Sequence, residues 1–187
     1  MNRNDSFEKI KITKASTNKV VLNVYFDAFG IEKVRFQNAN YNDKSSIDCY
    51  LGFEDVALLA TDAASGRLIK KLEAGEKVQF MTGSKSSKNY DGAPESRILS
   101  FGLSTNGKGE KTVFVNMSRG KGKLTDTGAI QPDGAPDIKI GVPMSVDKFR
   151  SVMIYTYDWI KAYLAKFTNN LVKEAEAERL ARKNSNE

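Results

Sequence analysis

The chain has 187 residues, 40% of them apolar and 10% aromatic, enough to bury a sizeable core and to exclude wholesale disorder. It contains no histidine and one cysteine, Cys49, so Ser-His-Asp, Cys-His and His-metal chemistries, an internal disulfide and a Cys-based zinc cluster are all excluded. Lys and Arg number 29 against 23 Asp and Glu, a net charge of +6, and a basic balance favours an anionic partner.

The first fifty residues read as strands. Ile10 and Ile12 alternate with Lys9 and Lys11, and Val20, Leu22, Val24 and Phe26 with Val21, Asn23, Tyr25 and Asp27. Val34 and Phe36 alternate with Lys33, Arg35 and Gln37, and Ile47, Cys49 and Leu51 with Ser46, Asp48 and Tyr50. Period two with one polar face predicts a half-buried antiparallel sheet. The period then becomes helical over Phe53, Val56, Leu59, Ala60, Ala63 and Leu68, with Glu54 and Asp55 in the first turn, a weak point at Gly66 and an exit at Gly75. The second half repeats this order, with strands predicted over Lys77–Ser84, Arg97–Thr105, Thr112–Arg119 and Asp137–Val142. A long helix follows, opened by Pro143, Ser145 as N-cap and Asp147 in the first turn. The helix starts align as Phe53-Glu54-Asp55-Val56 against Val146-Asp147-Lys148-Phe149, an offset of 93 residues, half the chain. A tandem ββββα repeat in one α+β domain over 1–170 is the simplest account, with repeats at about 8–75 and 76–170 and a charged, frayed helix or tail over 171–187.

Two apolar stripes run along the second helix. One carries Phe149, Met153, Ile160, Leu164, Phe167 and Leu171; the other carries Val152, Tyr155, Trp159 and Tyr163. One stripe can pack on the sheet, and the second then needs the first helix or another subunit, which predicts a homo-oligomer. No apolar run approaches the ~20 residues of a membrane helix, and the N-terminus lacks the apolar stretch of a signal peptide. The expected location is therefore the cytoplasm, nucleoid-associated in a cell or in host cytoplasm for a viral protein.

Over Val113–Ser118, over Lys139–Phe149 through Tyr163-Leu164, and less closely from Cys49 through Leu59, the chain resembles the Whirly family of single-stranded DNA-binding proteins. The related positive-cofactor-four coactivators use one such unit per chain and dimerise. The resemblance implies two antiparallel sheets packed crosswise, helices mediating a homotetramer (a dimer is the second choice), and single strands laid along sheet edges between protomers. Arg119-Gly-Lys-Gly-Lys-Leu124 is similar to the Lys-Gly-Lys-Ala-Ala-Leu motif of plant members. It stands in the second repeat, after its third strand, so the higher assembly credited to that motif is not carried over.

Single strands are held without sequence preference by basic grooves and aromatic stacking platforms. Parity opposite to the core turns Lys9, Lys11, Asn23, Tyr25, Lys33, Arg35 and Tyr50 outward, and sets Phe114 against the Val113, Val115, Met117 face. For Tyr25, Tyr50 and Phe114 the alternative is burial against the second sheet or a neighbour; for Lys9 and Lys11 it is an ordinary solvated edge. Between Lys77 and Lys123 nine Lys and Arg face three acids. Two predicted loops carry much of that charge. Ser84–Arg97 holds Lys85, Lys88, Tyr90 and Arg97; Ser118–Pro136 alternates glycine with Arg119, Lys121 and Lys123, so that backbone N–H groups could approach phosphates. Past Thr125 that segment reads equally well as a flexible hairpin. No nucleotide P-loop motif is present.

The expectation is a single-stranded DNA-binding protein with little sequence preference, serving replication, recombination or repair, with no catalytic residue, metal or cofactor. An RNA-binding or transcription-regulating protein of the same fold is the alternative. An OB-fold binder is disfavoured by two helices that each close a strand run. A metal-dependent nuclease is hinted at only by Pro136-Asp137-Ile-Lys139, which lacks a partner carboxylate at usable spacing.

Overall fold

The structure, a computed structural model, describes residues 11–26 and 33–184; the predicted site residue Lys9 lies outside them. In the first half the alternating segments form β1 (Lys11–Ser16), β2 (Val20–Phe26), β3 (Lys33–Asn40) and β4 (Ser46–Gly52), an antiparallel meander in that order. A bulge in β1 sets Lys11 opposite Tyr25 but Thr13 opposite Val24. The extra residue shifts the parity, so Ala15, opposite Leu22, reaches the core.

Helix α1 (Phe53–Ala64) buries Val56, Leu59, Ala60 and Ala63. It ends where Gly66 adopts φ +77°, and α2 (Arg67–Glu73) resumes beyond this left-handed residue.

The second half forms β5 (Gln79–Ser84), β6 (Glu95–Thr105), β7 (Lys111–Leu124), β8 (Ile130–Pro132) and β9 (Ile138–Ser145). This sheet has five strands where four were expected. It runs β5-β6-β7-β8, with β9 also paired to β7. The difference lies in β7, which does not stop at Arg119 but continues to Leu124 and turns back through β8. Helix α3 spans Val146–Asn184, and Ser145 Oγ accepts the Lys148 N–H at 3.2 Å as the expected N-cap. The charged segment after Lys173, expected to fray, is helical to Asn184; its Ala, Glu, Lys and Arg are strong helix formers. Among the described residues no helix is long and apolar enough to cross a membrane.

The inner faces of the two sheets enclose the core. Strand β9 lies against β1, β2 and β3, while β4 lies against β5, β6 and β7. At the centre Asn38, fully buried on β3, donates from Nδ2 to the carbonyls of Val115 at 2.8 Å and Ile140 at 2.9 Å. A net hydrogen bond contributes about 1 kcal/mol, and these two join two strands of one sheet to one strand of the other, while Asn38 Oδ1 is itself buried without a partner. Helix α3 adds Phe149, Val152, Met153 and Ile160 to the same core.

Candidate nucleic-acid interface

Register rather than sequence proximity assembles the site. Across the outer face of the first sheet Lys11 pairs with Tyr25, Tyr25 with Arg35, and Arg35 with Tyr50. Cation and aromatic therefore alternate over four strands, about 4.8 Å apart from strand to strand. The Arg35 guanidinium lies 4.3 Å from the Tyr25 ring centroid and the Lys11 ammonium 5.6 Å from it. Arg35 Nε is buried without a hydrogen-bond partner. Tyr50 is half-buried; desolvation, helped by the Asp48 charge, holds its hydroxyl above the ordinary tyrosine range.

Tyr50 also borders a cleft of about 1050 Å³ between the outermost strands of the two sheets. Its walls are Tyr50–Gly52 with Lys33 and the carboxylate of Asp55, strand β5 with Phe80 and Met81, Arg97 from β6, and the hairpin tip Gly128–Gln131. Met81 is exposed here, an apolar surface beside cations. The cleft thus gathers Lys33, Tyr50 and Arg97 of the predicted residues, and Tyr50 joins it to the Lys11–Tyr25–Arg35 row. Gln79, Phe80 and Met81 were not singled out from sequence, because only the placement of β5 beside β4 gives them a role.

The Ser84–Arg97 segment is tied down. Glu95, fully buried, accepts from Ser87 Oγ at 2.7 Å and Asn89 Nδ2 at 2.9 Å, and pairs with Arg97. Burial pushes the Glu95 carboxyl up, but those three donors together outweigh it and hold the pKa below the usual glutamate value. Arg97 further donates to the Asp48 carbonyl at 3.1 Å, linking this segment to β4. Tyr90 donates to Asp137 Oδ2 at 2.7 Å, and desolvation with this bond pushes its hydroxyl up to about 12. Tyr90 is therefore a strut, and Asp137, on which the nuclease reading rested, is engaged. Lys85 and Lys88 are exposed on the same segment.

The Arg-Gly-Lys-Gly-Lys run is strand where a loop was expected. Arg119, Lys121 and Lys123 occupy one face of β7, and Gly120 and Gly122 the other. A Cβ at Gly120 would come within 2.9 Å of Pro136 Cα, and one at Gly122 within 2.9 Å of Ile130 Cγ2. The Gly122 N–H donates to the Pro94 carbonyl at 2.7 Å. These glycines admit the close approach of protein backbone and side chains. Arg119, opposite Arg97, is half-buried, whereas Lys121 and Lys123 are exposed, Lys123 pairing in register with Gln131 of the cleft wall. Phe114, half-buried between Gly102 and Pro143, lies on the outer face of the second sheet, away from the Tyr25–Tyr50 row.

Of the residues expected at a subunit interface, Val152 is in the chain's own core. Tyr163 packs on Phe26 and Phe53 at centroid distances of 4.6 and 6.0 Å. Trp159 touches Phe26 yet stays 41% exposed, and Tyr155 is 63% exposed.

Comparison with protein-family models, curated proteins and solved structures finds no match.

The Glu95 clamp gives a pH signature. Its folded pKa lies below the unfolded value, so its stabilisation is complete above about pH 4.5 and is lost as pH falls through the depressed folded value. Glu95→Gln should lower stability at pH 7 by about 2 kcal/mol. Thermal melts should then show the gap to the parent protein closing below pH 4.5; a gap independent of pH would contradict the clamp.

Proposed function

We propose that the chain is a Whirly-like protein that binds single-stranded DNA with little overall sequence preference, in replication, recombination or repair. The observation that carries this reading is the Lys11–Tyr25–Arg35–Tyr50 row running into the Lys33–Met81–Arg97 cleft. Bases stack on the tyrosines, and phosphates meet Lys11, Lys33 and Arg35. Duplex DNA offers no exposed base faces to such a row. The contact of β9 with three strands of the other sheet, and of β4 with three strands of its own opposite, supports crosswise packing of two ββββα-type units. Lys121 and Lys123, behind the cleft wall, extend the cationic track.

Fluorescence anisotropy with labelled oligo-dT tests this. Tyr50→Ala should weaken binding about tenfold and leave the salt dependence unchanged, because stacking releases few ions. Arg35→Ala should weaken binding and make the slope of log K against log salt shallower by about 0.7. Phe114→Ala, on the other face, should leave affinity unchanged. Equal affinity for duplex and single strand would contradict the reading, and an RNA arm of the same titration decides between the nucleic acids.

Tyr155 and Trp159 support a homo-oligomer held by the α3 helices, tetramer before dimer, since large aromatics left in water favour association. Trp159→Ala should lower the mass measured by light scattering. A parent protein that is monomeric at micromolar concentration would contradict this.

A further inference from the structure

Beside the cation–aromatic row runs a second, polar row. Two residues further along the strands, Asn23 pairs with Gln37 and Gln37 with Asp48 on the same outer face, and the exposed Lys14 of β1, opposite Asn23, closes the far end of the row from Asp48. Asn23 Nδ2 donates to Gln37 Oε1 at 3.2 Å, and Gln37 Nε2 donates to Asp48 Oδ1 at 2.9 Å. The relay has a direction. It consumes amide donors at each step and ends on a carboxylate, which has only acceptors. Asp48 Oδ2 takes no donor among the described residues, and Asn23 Oδ1 is buried without one. Asn23 Oδ1 is out of a ligand's reach, so the acceptor that the row offers is the Asp48 carboxylate.

The order along β3 and β4 is informative. On β3 the outward residues are Lys33, Arg35 and Gln37; opposite them on β4 stand Gly52, Tyr50 and Asp48. Cation, aromatic ring and acceptor follow one another at two-residue steps of about 6.7 Å. A nucleotide has the same sequence of parts: a phosphate, a flat base, and a hydrogen-bonding edge at the far side of the base. Asp48 would repel a phosphate, so the backbone is kept to the Lys33–Arg35 side and base edges point towards Asp48. A carboxylate presents two oxygens side by side. Guanine matches it with two parallel donors, N1–H and the N2 amine, whereas thymine and inosine each offer one imino N–H and adenine and cytosine one amine on that edge.

We infer that Asp48 is a specificity-determining residue that selects guanine for the base stacked on Tyr50. The inference rests on the single-strand-binding reading above and adds to it one discriminating position within an otherwise sequence-tolerant site. Gln37 holds the carboxylate in place by its bond to Oδ1 and is a positioning residue.

The test is fluorescence anisotropy of the full chain with labelled nine-nucleotide oligo-dT, and with the same oligomer carrying one central deoxyguanosine, deoxyinosine or deoxyadenosine. The guanine oligomer should bind about fivefold or more tightly than oligo-dT. Inosine, which lacks the N2 amine, should lose most of that gain without any change to the protein. Asp48→Asn keeps an acceptor for Gln37 and the same shape; it should abolish the guanine preference and leave oligo-dT affinity unchanged or higher. Equal affinity of the unaltered chain for all four oligomers, or a preference that survives inosine substitution or Asp48→Asn, would overturn the inference while leaving the binding reading intact. Failure of every oligomer to bind would instead overturn the binding reading, and the inference with it.

Discussion

The amide of Asn38 sets the geometry on which the rest depends. It sits near the C-terminal end of β3, buried between the sheets, and its two N–H groups are taken by carbonyls of β7 and β9. In a strand the side-chain period is two, so fixing one residue inward fixes all of them. With Asn38 and Phe36 inward, Lys33, Arg35 and Gln37 must face out. A slip of one residue would bury a guanidinium and expose Phe36, a cost no other contact in the sandwich offsets. Arg97, donating to the Asp48 carbonyl, ties β4 to the second sheet at the cleft.

Charge acts locally here in a way that its total does not reveal. The basic excess between Lys77 and Lys123 is partly taken up by the protein's own acceptors: Arg97 by buried Glu95 and the Asp48 carbonyl, and, at the surface, Lys111 by Glu73. Arg97 thereby braces β6 against β4. Over residues 11–52 six Lys and Arg stand against four Asp and Glu, and the outer face orders them by position, with Lys11, Lys33 and Arg35 at one end and Asp48 at the other, in the row that Lys14 opens on β1. Such an ordered face can orient a polyanion, which a uniformly basic patch cannot.

Much of this was legible in the sequence, and the omissions have physical causes. Alternation placed Tyr25, Arg35 and Tyr50 on one face, because period two is a property of each strand alone. Pro143, Ser145 and Asp147 marked the start of α3, because capping is local. The pairing of Tyr25 with Arg35 and Arg35 with Tyr50 depends on register between strands, which alternation does not encode. The bond from Tyr90 to Asp137 spans 47 positions and turns an apparent stacking residue into a brace. Glycine alternating with Arg and Lys looks like a loop until its neighbours are known; Pro136 and Ile130 pressed against Gly120 and Gly122 make it a strand. Val152, indistinguishable by period from Tyr155 and Trp159, falls inside because α3 turns that residue towards the sheet.

The central claim is that a single strand lies across the outer face of the first sheet and enters the cleft between β4 and β5. Backbone amide hydrogen exchange of the full chain, with and without saturating oligo-dT, addresses it most directly. The account predicts slowed exchange over residues 33–37, 48–52 and 79–83, with the outer face of the second sheet around Phe114 unchanged. Protection confined to residues 112–124, with β3, β4 and β5 exchanging as in the unbound protein, would contradict it.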